Sequence, residues 1–151
     1  MTMTRIPFET MMRAACVQML RDYAQDAVNK MTVYEARPLT IAPPHAWIER
    51  LRETIGDGSF GPFRQRLVEV DIRIAWGLFD SKEAVLQRDT FIDQFIDWTW
   101  DRPHEAFGTT VLEPRRVEDD PNFQPDWGPE QQRNATYFSS ILTIGGFAGG
   151  Y

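Results

Sequence analysis

Between Phe63 and Asp101 the chain changes from one hydrophobic period to another. Val68, Val70, Ile72, Ile74 and Trp76 alternate with Glu69, Asp71 and Arg73, the period-two pattern of a half-buried strand. Gly77 to Asp80 interrupts it. From Ser81 to about Trp100, Ala84, Val85, Phe91, Ile92, Phe95 and Ile96 recur at helical spacing and form one broad apolar stripe. Asp80, three residues before Glu83, supplies the aspartate form of a capping box. The pattern predicts a long strand feeding a long amphipathic helix, the centre of a sheet with a helix packed on it.

The flanking segments read less sharply. Pro7 to about Ala27 predicts a first helix, with Phe8, Met12, Ala15, Met19, Leu20 and Tyr23 on one face. Thr32 to Arg37 predicts a short strand ended by Pro38, and Leu39 to Ala42 another extended piece before Pro43-Pro44. Trp47, Ile48, Leu51 and Ile55 have helical spacing, so Ala46 to Ile55 predicts a small helix closed by Gly56-Asp57-Gly58. Thr109 to Glu118 predicts a strand, with Pro114 marking an edge or a bulge. Residues 119–133, with three prolines and one glycine, read as a long acidic loop carrying Phe123 and Trp127. Ala135 to Ile144 predicts the last strand, and residues 145–151, with four glycines, a mobile tail. The later strands have no helices between them, so the expected fold is α+β: one domain over residues 1–151, with a mostly antiparallel sheet packed by the central and N-terminal helices.

Composition narrows the function classes. The 151 residues suit one domain, and 42% apolar with 13% aromatic content is enough for a real core. The net charge of −6 argues against a general nucleic-acid binder or an anionic-membrane binder. No apolar run approaches the roughly 20 residues of a bilayer span. The first residues lack the apolar stretch of a signal peptide. Cys16 is the only cysteine. Beside Ala15 and Val17 it reads as a buried, inert thiol, in a compartment that requires no disulfides. All six methionines fall within the first 31 residues; such a face packs a core more often than it forms an adaptable binding surface.

Catalytic signals are absent from the pattern. His45 and His104 each stand beside a proline, without other ligands at metal spacing. Asp119-Asp120 lacks the spaced ligands of a calcium loop. No P-loop, nucleophile elbow or dinucleotide fingerprint occurs. The expectation is therefore a non-enzyme with no catalytic residue, no cofactor and no metal. The most distinctive charge feature is the row Asp89, Asp93, Asp97 and Asp101. Like charges at this spacing destabilise a helix by roughly 0.2–0.5 kcal/mol per pair. The row is either a solvated face or a contact for a basic surface, with Arg64, Arg66, Arg115 and Arg116 of a neighbouring copy the candidates.

Taken together, these pieces resemble the tail terminator (tail completion) proteins of long-tailed bacteriophages. The resemblance rests on several stretches: the N-terminal helix leading to a short strand, the alternating strand from Leu67 to Trp76, the aromatic and acidic helix Asp89-Thr-Phe-Ile-Asp-Gln-Phe-Ile-Asp97, the acidic Arg116-Val-Glu-Asp-Asp120 leading to Trp127, and the closing strand Tyr137 to Ile144. It spans Pro7 to Ile144 as a match of pattern; the small helix near Trp47 and the glycine-rich tail depart from it. The resemblance implies a non-enzymatic, commonly hexameric ring in the virion, assembled in the host cytoplasm. The ring would cap the tail tube at its head-proximal end, contact the tube protein and the head–tail connector or neck, and let DNA pass through its lumen without sequence-specific binding. A ring needs unlike surfaces that complement each other. Arg64, Arg66, Asp89, Asp93, Asp97, Arg115 and Arg116 are the candidate subunit contacts, and Phe123 and Trp127 the candidate anchors on a partner. The competing readings are a neck or tube-end adaptor protein and, from another class, a small ligand-binding or enzymatic domain with a pocket lined by Trp47, Trp76, Trp98 and Trp100. For those tryptophans, core packing is the simpler role.

Overall fold

The computed structural model describes residues 8–26, 31–55, 66–101, 104–107 and 110–148. The chain runs α1 (Phe8–Asp26), β1 (Thr32–Tyr34), β2 (His45–Ile55), β3 (Arg66–Leu78), α2 (Lys82–Asp101), β4 (His104–Phe107), β5 (Thr110–Phe123), α3 (Glu130–Arg133) and β6 (Tyr137–Ala148). The strands order as β1-β2-β3-β6-β5-β4. Among the described residues β1 and β2 pair in parallel, and the other four pairings are antiparallel. This is the α+β fold with a mostly antiparallel sheet that the sequence predicts.

The alternation in β3 and the stripe on α2 meet as expected. Val68, Val70, Ile72, Ile74 and Trp76 face Phe91, Ile92 and Phe95, all of them buried, with Ile96 half-buried at the margin. Met12, Cys16, Val17, Met19, Leu20 and Tyr23 of α1 complete the same cluster. Tyr23 sits edge-on to Phe91 at 4.8 Å and Phe95 at 5.3 Å, and its hydroxyl donates to the Phe91 carbonyl at 3.2 Å. A buried phenol is thereby satisfied at no loss of packing. Burial pushes the Cys16 thiol up to about 12, where it is neutral and unreactive.

Several expectations need correcting. Ala46 to Ile55 is a strand, not a helix. Ala46 and Ile48 face the helices, and Trp47 faces the other side. A bulge between Ile48 and Arg50 then inserts one residue, so that Leu51 returns to the helix side. The bulge converts a two-residue step into three and imitates helical spacing. Thr32 to Arg37 forms a strand only as far as Tyr34, and Leu39 to Ala42 is irregular. His45, which stands beside Pro44, is a buried strand residue.

Residues 119–133 are not one loop. β5 continues to Phe123, and Glu130–Arg133 forms the short helix α3. Asp119 and Asp120 are adjacent on a strand and so point to opposite faces. Asp119 accepts from Arg88 of α2 at 2.9 Å and from the Ser140 hydroxyl at 2.8 Å. Asp120 accepts from Arg73 at 3.0 Å on the other side. The acidic run reads as a loop because both of its faces carry polar partners. Pro114 does mark a bulge, with the register shifting between Pro114 and Arg116.

The glycine-rich segment is not a tail up to Ala148, because β6 runs through it. Gly145 faces Glu69 and Glu113 across its two neighbours, and Gly146 faces Val68. A Cβ at Gly145 would stand 3.0 Å from the Arg115 Cγ and 3.2 Å from the Val68 carbonyl. Glycine leaves room there for the bulged arginine, which leans across the strand and would have to give way to a side chain. Residues 149–151 lie outside the described residues.

Candidate functional site

The face of the sheet turned away from α1 and α2 is built differently. Ile41, Trp47, Ala75, Phe123 and Tyr137 make a small buried cluster, with Tyr34, Trp127 and Ala135 at its edge. Trp127 stands edge-on to Trp47 at 5.7 Å, and its Nε1 donates to the Pro38 carbonyl at 2.7 Å. Gln132 donates to the Ile41 carbonyl at 2.8 Å and accepts from the Ile41 amide at 3.0 Å. Gly128 turns the segment at φ 89°, where a Cβ would come within 3.1 Å of the Leu39 carbonyl. Phe123 and Trp127, expected to be anchors on a partner, therefore pack on their own subunit. Two aromatics in a polar stretch also suit an internal latch, and the strand context that would show this is hidden by Pro121 and Pro125.

Beside the cluster lies a charge network. Asp71, buried in the middle of β3, accepts from Arg52 at 2.8 Å and the Thr143 hydroxyl at 2.7 Å, with Arg50 at 3.5 Å. Arg73, also buried, bridges Asp120 at 3.0 Å and Glu49 at 3.3 Å, donates to the Ser139 hydroxyl at 3.0 Å and lies 4.2 Å from the centre of the Phe123 ring. These carboxylates are paired with guanidiniums. Their arrangement ties β2, β3, β5 and β6 together. Among the described residues no group of three or more His, Cys, Asp or Glu converges to hold a metal ion. No described helix is long and apolar enough to cross a membrane.

The remaining expected contact residues divide. Asp89, Asp93 and Asp97 are exposed along the outer side of α2, with Asp89 at 3.2 Å from its neighbour Arg88. Arg115 reaches Glu113 at 3.1 Å, and Arg116 stands 4.0 Å from Glu69. These arginines thus make their nearest ion pairs within the subunit. Arg64 lies outside the described residues, as do the side chains of Arg66, Asp101 and His104. Of the four tryptophans weighed as a pocket, Trp47 and Trp76 are buried in separate clusters, Trp98 is half-buried against the helix-side cluster, and Trp100 is 81% exposed. Trp47 and Trp76 therefore lie on opposite faces of the sheet.

Sequence reasoning missed the exposed apolar side chains at the two ends of α2. At its start, Leu78, Phe79, Val85 and Leu86 are open to solvent; Val85, read as part of the inner stripe, lies on the outer side. The signal was present: Ala84-Val85-Leu86 cannot all point inward on one helix. At its end, Trp100 closes a groove of about 390 Å³ with Ile96, Leu112, Pro114 and Val117. Arg115 and Arg116 border it. Trp98 and Trp100, two residues apart, face opposite sides of the helix. No protein-family model matches the chain, and a search of curated proteins finds no match.

Proposed function

We propose that this protein is a ring-forming tail terminator of a long-tailed bacteriophage, a non-enzymatic subunit at the head-proximal end of the tail. The observation that carries this reading is the pair of unlike exposed surfaces at opposite ends of α2: an apolar turn at one end and an apolar groove with two arginines at the other. Closed rings are built from unlike surfaces on one subunit. The likeness in element order also supports the reading. Two segments counted as departures from that pattern, Ala46 to Ile55 and Gly145 to Ala148, are strand. The aspartates between the two surfaces face outward, where repulsion within the helix is offset by contact with a neighbour's cations.

Native mass spectrometry and electron microscopy of the purified chain test this. A hexameric ring with an opening wide enough for duplex DNA supports the proposal. A chain that stays monomeric at every concentration and on isolated tails overturns it. Breaking virions at the head–tail joint separates the nearest variant of the reading: a terminator stays with the tail, and a neck or connector protein stays with the head.

A further inference from the structure

We infer that the turn between β3 and α2 of one subunit seats in the groove between α2 and β5 of the next copy. The inference rests on the ring reading and names its contact. The protruding element is Leu78, Phe79, Val85 and Leu86, with Leu86 66% exposed. It is held in shape: the Phe79 amide donates to the Thr136 carbonyl at 3.1 Å, and the Ser81 amide to the Leu78 carbonyl at 3.0 Å. A preformed knob loses little freedom on docking.

The receiving groove is apolar at its floor and carries Trp100 at its mouth, the residue type most enriched at the energetic centres of interfaces. The charges are opposite. Asp80 and Glu83 flank the knob against a single Lys82, all three exposed. Arg115 and Arg116 border the groove against Glu113. Both arginines keep part of their side chains open to solvent beside their own carboxylates, at 32% and 45% exposure.

A chain's own knob cannot fill its own groove. Val85 and Trp100 are fifteen residues apart on one helix, about 22 Å along its axis at 1.5 Å per residue. The acidic residues at the knob and the arginines at the groove match in charge, which makes a second copy, placed head to tail, the occupant; that is the geometry that closes into a ring. Strand addition is a poor alternative at this site. The β5 edge beyond Leu112 carries Glu113, Pro114, Arg115, Arg116, Glu118 and Pro121, and charges with prolines discourage edge pairing.

Cysteine trapping tests the contact in the full-length chain. Phe79→Cys and Trp100→Cys each replace an exposed side chain, and the native Cys16 is fully buried and stays silent. Circular dichroism checks that each variant is folded. Under mild oxidation neither single variant links to itself, a mixture of the two gives disulfide dimers, and the double variant gives a ladder ending in a closed ring. Self-linking of either single variant at the level of the mixture overturns the inference in favour of a symmetric contact. Failure of the mixture to link while the variants themselves still form rings also overturns it, and leaves the ring reading standing; loss of rings in both folded single variants supports the contact. Linking that yields only open chains keeps the contact and rejects the ring. No linking, with no association of the unmodified chain, rejects both.

Discussion

The two faces of the sheet reach burial by opposite chemistry. On the side of α1 and α2, Val70, Ile72, Ile74, Phe95, Leu142 and Ile144 are fully buried and almost entirely apolar. On the other side the same strands present Asp71, Arg73, Ser139 and Thr143, also buried, beside the five-residue apolar cluster that contains Trp47. The first face is stabilised by removal of apolar surface from water, which is tolerant of exact partner choice. The second depends on geometry, because a buried charge is costly unless each partner is present. The difference teaches that the helix face supplies most of the stability and the polar face supplies strand register. A one-residue slip of β3 against β6 would separate Asp71 from Thr143 while also turning the apolar set outward.

Breaking the apolar face produces the largest effect. Phe95 is fully buried among Tyr23, Phe91 and Trp98. Phe95→Ala should destabilise the fold by about 3–5 kcal/mol, read as a lowered midpoint in urea unfolding. A loss of no more than about 0.5 kcal/mol, the range of ordinary surface substitutions, would mean that α2 does not anchor the core.

Breaking the polar face comes next. Asp71→Ala leaves Arg52 and Thr143 without their shared acceptor, at a cost of about 2–3 kcal/mol. The double variant Asp71→Leu with Thr143→Val sharpens the comparison. It removes acceptor and hydroxyl together, and replacement of a buried polar pair by apolar groups is often near neutral. Recovery of stability in the double variant, measured by the same unfolding, would show that the network selects register more than it stabilises. No recovery would show that Arg50 and Arg52 need Asp71 in place.

The two faces were also unequally legible in the sequence. The helix side announces itself: β3 alternates cleanly and α2 repeats at helical spacing, so strand, helix and their contact all follow from residue order. The polar side does not, because Asp71 and Arg73 look like solvent-facing residues until β5 and β6 bring Asp120, Ser139 and Thr143 to them. The bulge after Ile48 disguised β2 as a helix, and the paired faces of Asp119 and Asp120 disguised the end of β5 as a loop. Of the candidate interface, the aspartates on α2 were legible and are exposed. The apolar surfaces at the helix ends were not, since exposure of Leu86 or Trp100 depends on which side of α2 the sheet covers.

The aromatic latch on the polar side gives a smaller effect with a separate readout. Trp127 is half-buried, donates to Pro38 and lies under Arg37 at 4.5 Å. Trp127→Ala should cost about 2 kcal/mol from lost burial and one hydrogen bond. Limited proteolysis is the sharper measurement. The segment 124–136 should resist cleavage in the lone wild-type subunit and become sensitive in the variant. Cleavage of the wild type as fast as the variant would mean that the latch closes only against another molecule.

The smallest effect tests the edge of the polar side by pH. His45 is buried at the start of β2, facing Ala75 of β3, with its ring 5.1 Å from that of Tyr34. Its Nδ1 accepts from the Ala42 amide at 3.1 Å, so that nitrogen carries no proton. Burial pushes the imidazole's pKa below its ordinary value, because the charged form loses water. The unfolded chain, with an ordinary imidazole near about 6.5, then takes up a proton before the folded chain does. The stabilising contribution is complete above that pH and is lost as pH falls through the lower folded value. Urea midpoints for wild type and His45→Asn, taken from neutral to mildly acidic pH, isolate the term because His104 is common to both. The wild type should lose stability more steeply on the acid side, and the two curves should converge there. Parallel curves would mean that the folded chain protonates His45 as readily as the unfolded chain does, and that the Ala42 contact does not hold the start of β2.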